Sequence, residues 1–182
     1  SRSFYLTLRV LPASVRRPVV LAYLLARATD TVADIGLVPA RDRLAALDAF
    51  ERRILDSGAP LDLARFVSPV CSTPPDGAGQ DAHAVERALL TRATEALRAL
   101  DELPQADRQL VRDVLKTIIS GQALDLQRFA EASAQRMIAL RSEAELDDYT
   151  YRVAGCVGEF WTLICRARLF PDAPLDIERL LR

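Results

Sequence analysis

Tyr23, Arg27, Asp30 and Asp34 follow one another at intervals of four, three and four residues, which aligns them on one stripe if the stretch is helical. Carboxylates and a guanidinium in that order suit a metal-bound phosphate. Mg2+ is a hard cation usually held by one or two carboxylates together with phosphate and water, and arginine meets phosphate oxygens with paired hydrogen bonds. A solvated helix face is the ordinary reading of an isolated D-x-x-x-D, because charges usually stay outside. Here, however, Val20, Leu21, Leu24, Leu25, Ala28 and Val32 fill the remaining faces. A helix apolar around most of its circumference is expected to be buried on several sides, and a buried carboxylate pair is costly unless cations compensate it.

The arrangement recurs. Val111, Leu115, Ile118, Gln122 and Asp125 share a second stripe, apolar at first and polar at its C-terminal end. Asp30, Asp34 and Asp125 are therefore candidate carboxylates for Mg2+, with Arg27 and Arg2 as candidate phosphate contacts. A third stretch, DDYTYRVAGCVGEFW, aligns Tyr149, Val153, Cys156 and Phe160 at helical spacing beside Ala154, Gly155 and Gly158. Glycine inside a helix costs about 1 kcal/mol relative to alanine, so these small residues make room for a neighbouring helix or for a ligand.

The elements that must position these residues are all helical: the long periodic stretches repeat at helical spacing, and no alternating run is bounded by turn signals on both sides. The expected fold class is all-α, a helical bundle forming a single domain over residues 1–182. Pro12 closes a short first helix, and Ser14 is the expected N-cap of a second that runs to about Asp34. Further helices are expected at about 40–57, 82–103, 105–130 and 143–169, the last opened by a capping box of Ser142 and Glu145. Residues 57–80 form a Pro/Gly/Ser-rich loop with a short helical turn around Leu61 to Phe66, and DAPLDIERLLR starts another helix.

Composition narrows the function. Lys plus Arg at 24 nearly cancels Asp plus Glu at 25, and no basic stripe carries interleaved aromatics, so nucleic acid is not an expected partner. Lys116 is the sole lysine, so an anion would be gripped by arginine. Cys71, Cys156 and Cys165 form no C-x-x-C pair, which suggests neither a disulfide framework nor a zinc site and points to a reducing cytoplasm. No apolar run reaches the length of a membrane span. His83, beside the loop, reads as a surface residue.

These residues resemble the squalene/phytoene synthases, all-helical enzymes that join two prenyl diphosphates head to head around a central apolar cavity. SRSFYLTLRVLP is similar to the family's N-terminal signature, YLLARATDTVAD to its first aspartate-rich helix, SGQALDLQRF to its Gly-x-x-x-Asp-Leu segment, and DDYTYRVAGCVGEFW to its Tyr-x-x-x-Val-Ala-Gly-x-Val-Gly segment. The resemblance implies that Asp30 and Asp34 hold Mg2+ against a substrate diphosphate, with Asp125 a further acidic ligand. It implies that Ser1, Arg2, Ser3, Tyr23 and Arg27 contact the diphosphates, and that Tyr149 assists the first half-reaction. Phe4, Val153, Ala154, Val157 and Gly158 would line the isoprenoid tunnel.

The implied reaction begins with metal-assisted loss of diphosphate to give an allylic cation. The double bond of the second substrate attacks it, and proton loss closes a cyclopropyl diphosphate. The squalene branch then rearranges and reduces this product with NADPH, whereas the phytoene branch joins two geranylgeranyl diphosphates without reduction. SRSF and ARATDTVAD sit closer to the squalene branch, which implies two farnesyl diphosphates as substrates. The oily product implies a cytoplasmic enzyme with peripheral membrane association. Two departures stand out: Ala33 occupies a position where many relatives carry glutamate, and a second aspartate-rich helix is expected beyond Arg182, so the chain resembles an enzyme without its C-terminal third. DAPLD imitates the spacing, but Pro174 makes it a loop and helix cap. A non-catalytic helical partner of isoprenoid enzymes is the alternative that this gap leaves open.

Overall fold

The computed structural model describes residues 2–36, 38–67, 80–129, 132–133, 135–174, 176 and 179, with the side chains of 2–5 and 80–83 outside the described set. Every regular element among the described residues is helical, as expected for an all-α bundle. The helices are α1 (Arg2–Val10), α2 (Ala13–Asp34), α3 (Ala40–Leu55), α4 (Gln80–Thr91), α5 (Ala93–Asp101), α6 (Gln105–Phe129), α7 (Glu143–Thr150) and α8 (Cys156–Arg168), with a π-turn (Tyr151–Gly155) between the last two. A further helical turn covers 64–67.

α2 is the hub, packing against α1, α3, α4, α5, α6 and α8. Its apolar faces explain this: Val15, Leu25, Ala28 and Val32 have no exposed surface and meet Leu47, Phe50, Leu100, Val111 and Leu115 in one core. Burying a side chain of that size contributes about 1.5–3 kcal/mol, so the pattern that marks α2 in the sequence also fixes its place. Thr29 and Thr31 are buried there too, their hydroxyls donating to the Ala26 and Arg27 carbonyls, so neither polar group is left unpaired.

Two charged ties brace the bundle. Arg168, at the end of α8, donates twice to Asp107 in the first turn of α6, at 2.7 and 2.5 Å, and the Asp107 side chain is only 5% exposed. Arg53 of α3 reaches Asp101 of α5 at 2.7 Å, and Arg108 caps the Asp101 carbonyl at 2.7 Å.

Local boundaries differ from the sequence expectation in three places. The N-cap of α2 is Pro12, not Ser14: the Pro12 carbonyl accepts from Val15 and Arg16 at 3.2 and 3.0 Å, and no side chain caps the end. The helix expected at 82–103 breaks at Arg92. The break lets Leu90 and Ala93 both enter the core. The helix expected at 143–169 contains the π-turn. Half of its capping box forms: the Glu145 amide donates to Ser142 Oγ at 3.2 Å, whereas the Glu145 carboxylate takes the Arg141 amide at 2.7 Å instead of the Ser142 amide.

Candidate functional site

Along one face of α2 the chain passes from apolar to charged within a few turns. Val19, Ala22, Tyr23 and Ala26 line a half-open cavity of about 420 Å3, walled further by Leu8 and Leu11, by Val114 and Ile118 of α6, and by Val157, Gly158, Phe160 and Trp161 of α8, of which Val157 and Trp161 are exposed. Its walls are almost wholly apolar. One turn beyond Tyr23 stands Arg27, then Asp30 and Asp34, so about 16 Å of helix separates the cavity-lining tyrosine from the last carboxylate.

The charged end is half-exposed rather than buried: the Arg27 and Asp30 side chains are 43% and 42% exposed. Arg27 is held by two carboxylates, one Nη on Asp30 and the other 3.3 Å from Glu86 Oε1 of α4. Desolvation, followed by the charge of Asp30, pushes the Asp34 carboxyl above the usual range, and Glu86 adds to this while Arg27 and Arg43 oppose it. Asp30 and Asp34 also sit at the C-terminal end of their helix, where the macrodipole disfavours anions and favours a cation. Arg43 of α3 answers part of that field by donating to the Ala33 carbonyl at 2.5 Å.

A second polar station lies at the end of α6. The Tyr149 hydroxyl is 3.5 Å from Asp125 Oδ2, and Phe129 meets the Tyr149 ring edge-on at 6.3 Å. Asp125 Oδ1 and Gln122 Oε1 are buried without a hydrogen-bond partner. Desolvation first, then the neighbouring Asp125 charge, raises the Tyr149 hydroxyl above its ordinary value.

The π-turn joins this station to the cavity. Arg152 is tied to Asp148 at 2.9 Å and to Ser120 Oγ at 2.9 Å, while Gly121 lets the turn approach α6: a Cβ there would lie 3.0 Å from Arg152 Cβ. Tyr151 faces away and donates to Glu159 at 2.5 Å, which raises its hydroxyl to about 12.

The sequence-predicted residues are thus sorted. Tyr23, Val157 and Gly158 line the cavity, and Arg27, Asp30 and Asp34 form its charged neighbour. Tyr149 and Asp125 pair with each other. Among the described residues no three acidic, histidine or cysteine side chains converge to hold one ion, so Asp125 does not join Asp30 and Asp34 in a single cluster. Val153 and Ala154 are exposed on the π-turn and do not line the cavity. Ser1 lies outside the described residues, as do the side chains of Arg2, Ser3, Phe4 and His83; Cys71 and much of the Pro/Gly loop also lie outside. Asp176 accepts from the Arg179 amide at 3.1 Å, in keeping with a cap in DAPLD. Sequence reasoning missed Glu86 and Trp161. The tryptophan was legible at helical spacing from Val157, whereas nothing local marks Glu86.

A search of curated proteins returned no match. Among solved structures, the chain is similar to TcSQS, a trypanosomal squalene synthase solved with a bound ligand, at 24% identity and a TM-score of 0.65. The alignment covers 100% of this chain and 46% of that one, so the chain spans less than half of the structure it matches. That likeness concerns the fold. Residues 1–179 match the squalene/phytoene synthase family, to which the chain belongs.

Proposed function

We propose that the complete enzyme joins two prenyl diphosphates head to head, with farnesyl diphosphate as the substrate and presqualene diphosphate and squalene as the products. The observation that carries this reading is the adjacency of an apolar cavity of about 420 Å3 to the Arg27–Asp30–Asp34 stripe, with Tyr23 at the junction. An amphiphile with a diphosphate head and an isoprenoid tail has that shape and polarity, and ligand pockets typically measure about 300–1,000 Å3.

Asp30 and Asp34 would hold Mg2+. Their fit rests on the raised Asp34 carboxyl and on the cation-favouring end of α2. When bound, Mg2+ neutralises the diphosphate as it departs. Arg27 donates to phosphate oxygens, and the Asp125–Tyr149 pair places a hydroxyl and a carboxylate where charge and protons move. Leu8, Ile118 and Phe160 offer an allylic cation no nucleophile along the wall they form.

The same reading makes residues 1–182 one helical domain and seats the enzyme in the cytoplasm, peripheral to a membrane that receives its product. No helix among the described residues is long and apolar enough to cross a membrane. Incubating the full-length enzyme with farnesyl diphosphate, Mg2+ and NADPH should yield a C30 product. Absence of any C30 product would sink the squalene version, and a C40 product from geranylgeranyl diphosphate would select the phytoene type.

A further inference from the structure

Arg27 is the one basic side chain of the polar stripe on α2, and the helix that carries it does not orient it alone. One Nη meets Asp30 on the same helix, while the other is 3.3 Å from Glu86 Oε1, which α4 brings from 59 residues away. A guanidinium is a planar fork, so a carboxylate on each Nη fixes the plane of the whole group. Glu86 is 28% exposed and sits at the inner edge of the site rather than in open solvent.

A simple helix–helix tie is the ordinary role for such a pair, and an exposed ion pair is worth little. The surroundings argue for more. Glu86 adds another negative charge beside Asp30, since both carboxylates meet the same guanidinium, which is a poor place for a carboxylate serving only to brace α2 against α4. Apolar packing already joins those helices, since Leu90 of α4 is buried in the same core as Leu25 and Ala28 of α2. The like-charge cost is offset if the carboxylate has a task at Arg27.

We propose that Glu86 is a positioning residue of the diphosphate site, holding the Arg27 guanidinium, together with Asp30, in the plane in which it meets a phosphate group. The inference rests on the functional reading above. It makes a prediction opposite in sign to simple electrostatics: removing a negative charge beside an anion site should strengthen anion binding, whereas loosening a pre-set arginine should weaken it.

The test is calorimetric titration of inorganic pyrophosphate with Mg2+ into the full chain, comparing wild type, Glu86→Gln, Arg27→Ala and the double variant. Glu86→Gln should bind pyrophosphate about tenfold more weakly, with its Tm shifted by no more than about 4 °C. In the Arg27→Ala background the same change should have no further effect. Unchanged or tighter binding by Glu86→Gln, or an equal loss in the absence of Arg27, would overturn the proposal. If Glu86→Gln does not fold, Glu86→Asp, which keeps the charge but draws it back by one methylene, is measured the same way and should also bind more weakly. Wild type that binds no pyrophosphate would overturn the diphosphate reading itself; wild-type binding matched by Glu86→Gln would overturn only the role of Glu86.

Discussion

A leucine at position 158 would enter the space that the proposed function assigns to the isoprenoid tail. Gly158 lines the cavity, and no atom lies within 4 Å of where its Cβ would stand, so a side chain there starts in open space. If the added side chain displaces about three methylene-sized groups of the tail, at about 0.8 kcal/mol each, the ligand loses about 2.4 kcal/mol, on the order of 50-fold in affinity. The protein should move the other way. Removing a helical glycine recovers about 1 kcal/mol, which in a chain of this size raises Tm by about 2–4 °C. The assay is titration of a non-hydrolysable farnesyl diphosphate analogue in Mg2+, beside inorganic pyrophosphate, which has no tail. The analogue should bind the variant on the order of 50-fold more weakly, while pyrophosphate binds both proteins equally. A folded variant with undiminished affinity for the analogue would show that the tail lies elsewhere, and an equal loss for pyrophosphate would show that the change acts through the charged end.

Asp30→Ala should abolish Mg2+-dependent turnover of the complete enzyme while leaving its far-ultraviolet circular dichroism intact; retained turnover would remove Asp30 from the site. Because the folded Asp34 carboxyl keeps its proton to higher pH than the unfolded one, stability is lost as pH rises from the ordinary carboxylate value through the raised one. Asp34→Asn should therefore be more stable than wild type at pH 7, with the difference fading toward pH 3 in thermal melts; a constant difference would contradict the shift. Asp107→Ala breaks a pair whose arginine is one-third exposed, so the full buried-pair penalty is discounted to about 2 kcal/mol, or a fall in Tm of about 4–8 °C. A loss under about 1 °C would show the pair to be idle. Gly121→Ala should destabilise by about 1 kcal/mol in urea unfolding, since overpacking against the tethered Arg152 outweighs the helical gain; a net gain would mean that the turn yields freely.

What could be read from the sequence follows from which interactions are local. The Tyr23–Arg27–Asp30–Asp34 stripe was legible because helical periodicity is a property of neighbours, and the apolar faces of α2 announced its central place. Ser142 and Glu145 were legible because a cap is satisfied within a few residues. Glu86 was not, because its meaning depends on α4 lying against α2, a contact across 59 positions. The break at Arg92 has no glycine or proline to mark it, and Leu90 and Ala93 on either side of it are both buried. Burial was overstated for Asp30 because periodicity shows which face a residue shares, not how far the partner helices extend over that face.

The π-turn at Tyr151–Gly155 sets the angular phase between two halves of what is otherwise one rod. Each residue of an α-helix turns the chain by about 100°. Were the same five residues wound as plain α-helix, the downstream half would turn by about 100° and carry Val157, Gly158 and Trp161 away from α2, while Tyr149, upstream, kept its place against Asp125. The extra residue thus works like an index gear, so that the segment bearing the hydroxyl and the segment bearing the cavity wall can each be set to a different neighbour.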